Sequence, residues 1–212
     1  MSSPSLDLPP IDPKNSMALC ATGITYRWYT DVQTTWGWRH PFFFINIMQV
    51  FDNFLPEHEF RPVQQAFLSE DFPWFYNPRV IAGQTNPDLY QMCHSFYMNW
   101  EWQSQYQNLV APVLNRLDIL NPLRIKANLT FKMDDNYEGG WHHDYEAAGK
   151  IQDHNTAIFY VTTSNGPTLF EDSKVECVEN RLVLFKNKDK HCGTYATDAK
   201  ERVVINFNFL TP

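Results

Sequence analysis

The sequence has no C-x-x-C pair. Its cysteines, Cys20, Cys93, Cys177 and Cys192, are spaced so widely that neither a zinc ribbon nor a disulfide framework is signalled, and they read as free thiols in a reducing compartment. It also lacks an apolar run long enough to cross a bilayer. The most apolar stretch, Pro41 to Phe51 (PFFFINIMQVF), is about half the length a spanning helix needs and contains Asn46 and Gln49, so it reads as a buried strand. The N-terminal MSSPSLDLPPIDP has neither the basic start nor the apolar run of a signal peptide, and a cytoplasmic protein with no membrane partner is expected. Basic residues are in deficit, with 17 Lys and Arg against 24 Asp and Glu and a formal net charge of -7. That balance disfavours nucleic acid as a partner, because long-range attraction to phosphate backbones is missing. No internal repeat and no H-x-H cluster are present.

What is there is a chain of 212 residues, 43% hydrophobic and 16% aromatic. It is long enough to bury a core without disulfides, and aromatic enough for a thick β-rich interior or an aromatic-lined cavity. Residues 1–40 read as an N-terminal arm and extension, and 41–212 as a single domain. Pro56 with Glu57 and Glu59 resembles a helix first turn, and Phe60, Val63 and Phe67 recur at helical spacing, predicting about three turns. A second helical pattern runs from Trp102 to Leu117, kinked or restarted at Pro112. The aromatic clusters WGW at 36–38 and PWFY at 73–76 read as core or lid packing.

From Leu123 the period changes to two. Leu123, Ile125, Ala127, Leu129, Phe131 and Met133 alternate with Arg124, Lys126, Asn128, Thr130 and Lys132, which is the pattern of a strand with one buried face. Further strands are predicted at 156–163, 168–170, 174–178, 181–185 and 202–210, separated by turn-rich SNGP, VEN and KNKDK. Helices followed by many short strands point to a mainly β fold with packed helices, a jelly roll or β-sandwich. The run Lys186, Lys188, Lys190, interleaved with Asn and Asp, reads as a solvated loop.

The chemistry sits in this second half. In extended chain His142 and Asp144 point to one side, whereas adjacent His143 points away. His191 follows Asp144 by 47 residues, after a strand and a loop that can bring it back beside them. Two histidines and one carboxylate on one face of a metal leave neighbouring positions open, the ligand set of non-haem iron(II) chemistry. Arg202 opens the strand RVVINFNFL, where Arg202, Val204, Asn206 and Asn208 share one face. A planar guanidinium there suits the far carboxylate of a dicarboxylate chelated at the metal.

His142-x-Asp144, His191 and Arg202, with the strand AIFYVTT and the turn NGPTLF between them, resemble the 2-oxoglutarate- and iron(II)-dependent oxygenase superfamily. The likeness extends to its prolyl-4-hydroxylase-like branch and to small phage-type oxygenases. It spans about Phe51 to Phe209 and implies a double-stranded β-helix (jelly roll, cupin-like) core. It implies His142, Asp144 and His191 as iron ligands and Arg202 on the distal carboxylate of 2-oxoglutarate. Tyr160 matches a strand position whose hydroxyl reaches that carboxylate in related hydroxylases, and Asn128 and Asn206 are further candidates for the pocket. Asp144 separates this pattern from the related halogenases, which leave that ligand position empty. Iron(II), 2-oxoglutarate and dioxygen are the implied cofactors, with ascorbate as a candidate accessory. The implied substrate is peptidyl, prolyl-type, or a small molecule, in a host cytoplasm if the chain is phage-encoded. The sequence departs from the family at Val204, where many relatives carry Ser, and in lacking a tyrosine in the strand before H-x-D. A cupin-like metal enzyme and a non-catalytic jelly-roll module are the rival readings.

Overall fold

The structure, a computed structural model, describes residues 48–144, 146–147, 150–151 and 153–212. These residues belong to one unit spanning Ile45–Pro212. The expected arm at 1–40, the WGW cluster and all but the end of the Pro41 to Phe51 stretch lie outside the described residues.

The strands in chain order are β1 (Gln49–Phe51), β2 (Phe75–Asn77), β3 (Gln91–Met98), β4 (Glu101–Trp102), β5 (Asn121–Phe131), β6 (Glu146–Ala147) and β7 (Lys150–Ile151). They continue as β8 (Asn155–Tyr160), β9 (Ser164–Phe170), β10 (Ser173–Cys177), β11 (Arg181–Lys186), β12 (His191–Gly193) and β13 (Glu201–Leu210). The main sheet has the order β1-β11-β8-β13-β5-β3-β2, with β4 on β3, and a smaller sheet runs β10-β9-β12. All pairings are antiparallel, and β6 pairs with β7.

Strand alternation divides the interior in two. On β13, Val203, Ile205, Phe207 and Phe209 join Ala157 and Phe159 of β8 and Ile125, Ala127 and Leu129 of β5 in one apolar cluster. Helix α1 (Glu57–Phe67) adds Phe60, Val63 and Phe67 to it, and Phe60 meets Phe159 edge-on at 6.1 Å between centroids. Burying each of those side chains contributes about 1.5–3 kcal/mol, which holds the helix on this face although Pro62 lies within it. The opposite face of β8 supplies Ile158 and Tyr160, which pack between the sheets with Phe170, Val175, Phe185 and Val204. That second cluster fills only part of the space between the sheets, and the polar residues of β5 and β13 line the rest.

Three expectations are corrected here. The pattern from Trp102 to Leu117 is not one helix: Trp102 ends β4, and only a 3-10 turn (Gln107–Leu109) and the single turn α2 (Ala111–Leu114) follow. Ser104 Oγ accepts the Tyr106 N–H, and Pro112 lies in the first turn of a new segment, yet Leu109, Val110, Val113 and Leu117 are buried just as their apolarity requires. SNGP is not a turn between strands but the start of β9, where Gly166 lets the backbone pass close to the Thr194 and Tyr195 carbonyls. In PWFY, Trp74 is half-buried and donates to the Phe67 carbonyl, whereas Phe75 and Tyr76 on edge strand β2 are exposed at 63% and 64%. The three described cysteines, Cys93, Cys177 and Cys192, are buried and free. Among the described residues no helix is long and apolar enough to cross a membrane.

The chain turns into β11 at Asn180, a buried residue in the left-handed region (φ 58°). Its side-chain oxygen accepts the Leu55 N–H at 2.9 Å, and its amide donates to the Leu55 carbonyl at 2.7 Å, tying the approach to α1 onto the sheet. Asn180→Ala strands both Leu55 groups and places Cβ chemistry less tolerant of this φ, so an unfolding free energy lower by roughly 2 kcal/mol is expected in urea titration. A change under a few tenths would refute the clamp.

Candidate metal and co-substrate site

A cavity of about 780 Å³ opens between the two sheets. Its histidine pair is set by backbone geometry: His142 and His191 face each other as an antiparallel bridge, N–H to carbonyl at 2.9 and 3.1 Å. Directly opposed residues project to the same side, and the rings lie 4.6 Å apart between centroids. Gly140, two residues before His142, takes a left-handed φ of 110° and lies against the Ile81 side chain, where a Cβ would collide. Asp144, two residues beyond His142, brings Oδ1 to 3.5 Å from His142 Nε2 and 3.7 Å from His191 Nε2. One ligand atom from each of the three residues lies within 4.8 Å of the others, a group able to hold a metal ion.

Asp144 is held rigidly. Its Oδ1 meets Arg124 Nη2 at 3.2 Å, Asn206 Nδ2 donates to both oxygens at 3.3 Å, and Asn208 Nδ2 donates to Oδ2 at 3.2 Å. Asn187 Oδ1 accepts its backbone N–H. Burial by itself would raise the Asp144 carboxyl, but the Arg124 guanidinium and the two imidazoles outweigh it and hold the group well below the usual carboxylate range. Asp144 is therefore an anion, aimed by its neighbours. The His142 ring is partly opposed by burial, yet Asp144 and the Gly140 carbonyl on Nδ1 raise its pKa above the ordinary value. His191, walled by Phe170 and Phe185 at 6.0 and 5.0 Å between centroids, is pushed down to about 4 by burial. It is neutral and free to ligate at physiological pH.

The His191 shift has a sign that can be tested. Its folded value lies below the ordinary 6.5, so between pH 6.5 and about 4 the unfolded chain binds more protons than the folded one. Stability is full above pH 6.5 and falls as pH drops, by about 3 kcal/mol from this residue when the loss is complete near pH 4. His142 works in the opposite direction but in another window: its raised value adds stability as pH drops toward 6.5, and that contribution is already complete below 6.5. Urea midpoints of the metal-free protein should therefore decline over this interval and decline less in His191→Gln; parallel curves would exclude the assignment.

Arg202 is only 5% exposed, and among the described residues it has no carboxylate partner. Its Nε donates to the Gly166 carbonyl at 2.7 Å and its Nη2 to Thr168 Oγ1 at 3.2 Å. The guanidinium lies beside Gly193, where a Cβ would stand 3.8 Å from Nη1. Gly193 is two residues from His191 on the same strand face, about 7 Å along it. A buried cation is costly unless an anion meets it, and this one faces a cavity whose other end carries the His-Asp-His group. Two buried polar atoms of the lining, Thr130 Oγ1 and Asn206 Oδ1, also have no hydrogen-bond partner in the protein. Two converging imidazoles, a fixed carboxylate, a deep guanidinium with no carboxylate partner among the described residues and unsatisfied lining atoms together fit a metal with a chelating dicarboxylate.

The sequence-derived candidates are thus brought together with differences in role. Asn128 and Asn206 line the cavity. Tyr160 is fully buried behind it, its hydroxyl donating to Thr168 Oγ1 at 2.8 Å, so its contact runs to a lining residue that also meets Arg202. His143 turns its Nδ1 to the Asn187 carbonyl, outside the metal-binding group. Sequence reasoning missed Arg124, Asn187 and Thr168. Arg124 shares the even face of β5 with Asn128, so periodicity alone could have placed it; Asn187 had no signal, being one of the residues in a loop that reads as solvated.

No protein-family model matches the chain, and a search of curated proteins finds no match. Solved structures are similar. An oxidoreductase of the 2OG-Fe(II) oxygenase family from Burkholderia pseudomallei superposes with a TM-score of 0.59 at 12% identity, over 77% of this chain and 84% of that one. A prolyl hydroxylase from Trichoplax adhaerens, solved with a hypoxia inducible factor oxygen degradation domain peptide fragment, gives 0.54 at 15% identity over 78% and 84%. HygX from Streptomyces hygroscopicus, with nickel and 2-oxoglutarate bound, gives 0.50 at 11% identity over 77% and 82%. The chain has the double-stranded β-helix fold of the 2OG-Fe(II) oxygenases.

Proposed function

We propose that this chain is an Fe(II)- and 2-oxoglutarate-dependent dioxygenase that hydroxylates a peptidyl, prolyl-type, or small-molecule substrate. His142, Asp144 and His191 hold the metal. Arg202 binds the distal carboxylate of 2-oxoglutarate, with Thr168 and, behind it, Tyr160 fixing the guanidinium. Iron with this co-substrate supplies the activation of dioxygen, coupled to oxidative decarboxylation to succinate and carbon dioxide. The protein's own contribution is orientation and exclusion of water: Arg124, Asn206 and Asn208 aim Asp144, and the Phe170 and Phe185 rings keep His191 dry and neutral.

The observation that carries the reading is one cavity joining the His-Asp-His group to a buried guanidinium with no carboxylate of its own among the described residues. A non-catalytic jelly roll has no reason to bury that charge. The peptide-bound prolyl hydroxylase among the structural neighbours supports a peptide as one substrate class.

Anaerobic titration with iron(II) and 2-oxoglutarate tests the assignment. Bidentate chelation should give a visible absorption band, and admitting dioxygen with substrate should release one succinate per substrate oxidised. Absence of the band with both components present would overturn the reading.

A further inference from the structure

The charge balance of the cavity runs against that of the chain. On a protein of net charge -7, the described lining holds four cations, Arg124, Lys126, Lys190 and Arg202, and one carboxylate, Asp144. Under the proposed function a divalent metal and doubly charged 2-oxoglutarate cancel each other, and Arg202 is engaged with the co-substrate. The excess positive charge remains, on β5 where Lys126 stands opposite Asn206 and at Lys190 just ahead of β12.

Lys126 is the centre of this excess. It is half-buried and sits on the cavity face of β5, two residues from Arg124 and two from Asn128. Same-face neighbours two apart on a strand are about 7 Å from one another, and like charges there repel. Arg124 is compensated by Asp144 at 3.2 Å. Lys126 has no carboxylate within ion-pair distance among the described residues, and its cross-strand partners, Asn206 and Ser95, are neutral. Lys190, next to His191 and exposed at the cavity rim, adds a third charge there and likewise has no carboxylate partner among the described residues. A half-buried ammonium with no carboxylate partner, joined by a second at the rim of the same cavity beside a neutralised metal centre, is a receptor for an anion.

We infer that the substrate is a small molecule carrying a carboxylate or phosphate group, held by Lys126 with help from Lys190 while the carbon to be oxidised faces the metal. The inference rests on the oxygenase reading and narrows it. Size and field agree: 780 Å³ suits a small-molecule site, and the net negative charge of the chain repels a polyanion at long range while leaving a small anion free to enter a locally positive cleft. An ammonium, unlike the Arg202 fork, accepts either anion without geometric demand, so the chemistry shared by the two headgroups is what the site recognises.

The test uses the full chain loaded with a redox-inactive divalent metal and saturating 2-oxoglutarate, so that Arg202 is occupied. Inorganic phosphate, acetate and neutral acetamide are then titrated separately by calorimetry. Phosphate or acetate should bind and acetamide should not, the tighter of the two anions naming the headgroup. Lys126→Met should weaken the anion at least tenfold, Lys126→Arg should restore most of the affinity, and Lys188→Met, on the exposed loop outside the cavity, should leave it unchanged. Loading with no anion response, or equal affinity in Lys126→Met and the parent, overturns this inference alone. Failure of the metal and 2-oxoglutarate to load, seen before any anion is added, overturns the oxygenase reading instead.

Discussion

Arg202→Met is expected to weaken 2-oxoglutarate binding by roughly a hundredfold, equivalent to about 3 kcal/mol, while metal affinity changes little. Methionine keeps much of the side-chain volume between the sheets, so the loss isolates the charge. The guanidinium is preorganised by the Gly166 carbonyl and Thr168 Oγ1, and being 5% exposed it meets a dicarboxylate away from competing water. Charge-assisted bonds in that setting are worth more than surface pairs, whose contribution is about 0–1 kcal/mol. Arg202→Lys should recover only part of the affinity, because an ammonium cannot present the planar fork. The measurement is the 2-oxoglutarate dependence of the anaerobic absorption band at saturating iron(II). Equal co-substrate affinity in Arg202→Met and the parent would reassign the residue to a purely structural role between β9 and β13.

The second large effect concerns the metal. Removing one of three ligands in His191→Ala should cost about 3 kcal/mol or more of metal affinity, over a hundredfold, and the absorption band should vanish at ordinary iron concentrations. The fold should survive, because the His142–His191 bridge is made by backbone groups that alanine retains. The parent should also show a defined pH dependence. The raised His142 value means that below it a proton must leave before the metal can bind, so affinity falls about tenfold per pH unit there and is flat above it. His191, already neutral down to about pH 4, adds nothing in that range. Chelator competition across pH reads both slopes; a pH-independent affinity, or His191→Ala binding like the parent, excludes the ligand set.

Much of the site was legible because strands obey a period of two. The i, i+2 relation of His142 and Asp144 and the separation of Arg202, Val204, Asn206 and Asn208 from Val203, Ile205, Phe207 and Phe209 follow from alternation alone, and both hold. The helix at Glu57–Phe67 was likewise readable from its acidic first turn and apolar stripe. Strand β3 went unread: QMCHSFYM mixes polar and apolar residues because Gln91 and His94 are buried through hydrogen bonds to the Arg79 and Pro73 carbonyls and Ser104. Hydrophobicity cannot report burial that depends on partners elsewhere in the fold.

Residue types and local spacing by themselves determined that a carboxylate and an imidazole would project together, that a guanidinium would share a face with Asn206, and that strands would dominate the second half. Only the tertiary structure decided what the polar face of β5 looks at. The alternation of Arg124, Lys126, Asn128 and Thr130 with apolar residues marks a strand with one buried face, but it says only that the two faces differ and not which volume lies beyond each. The second sheet, brought over that row by the pairing of β9 with β10 and β12, turns it into the wall of a cavity. In the same way the antiparallel register that sets His191 opposite His142 is a long-range pairing, invisible to any local period.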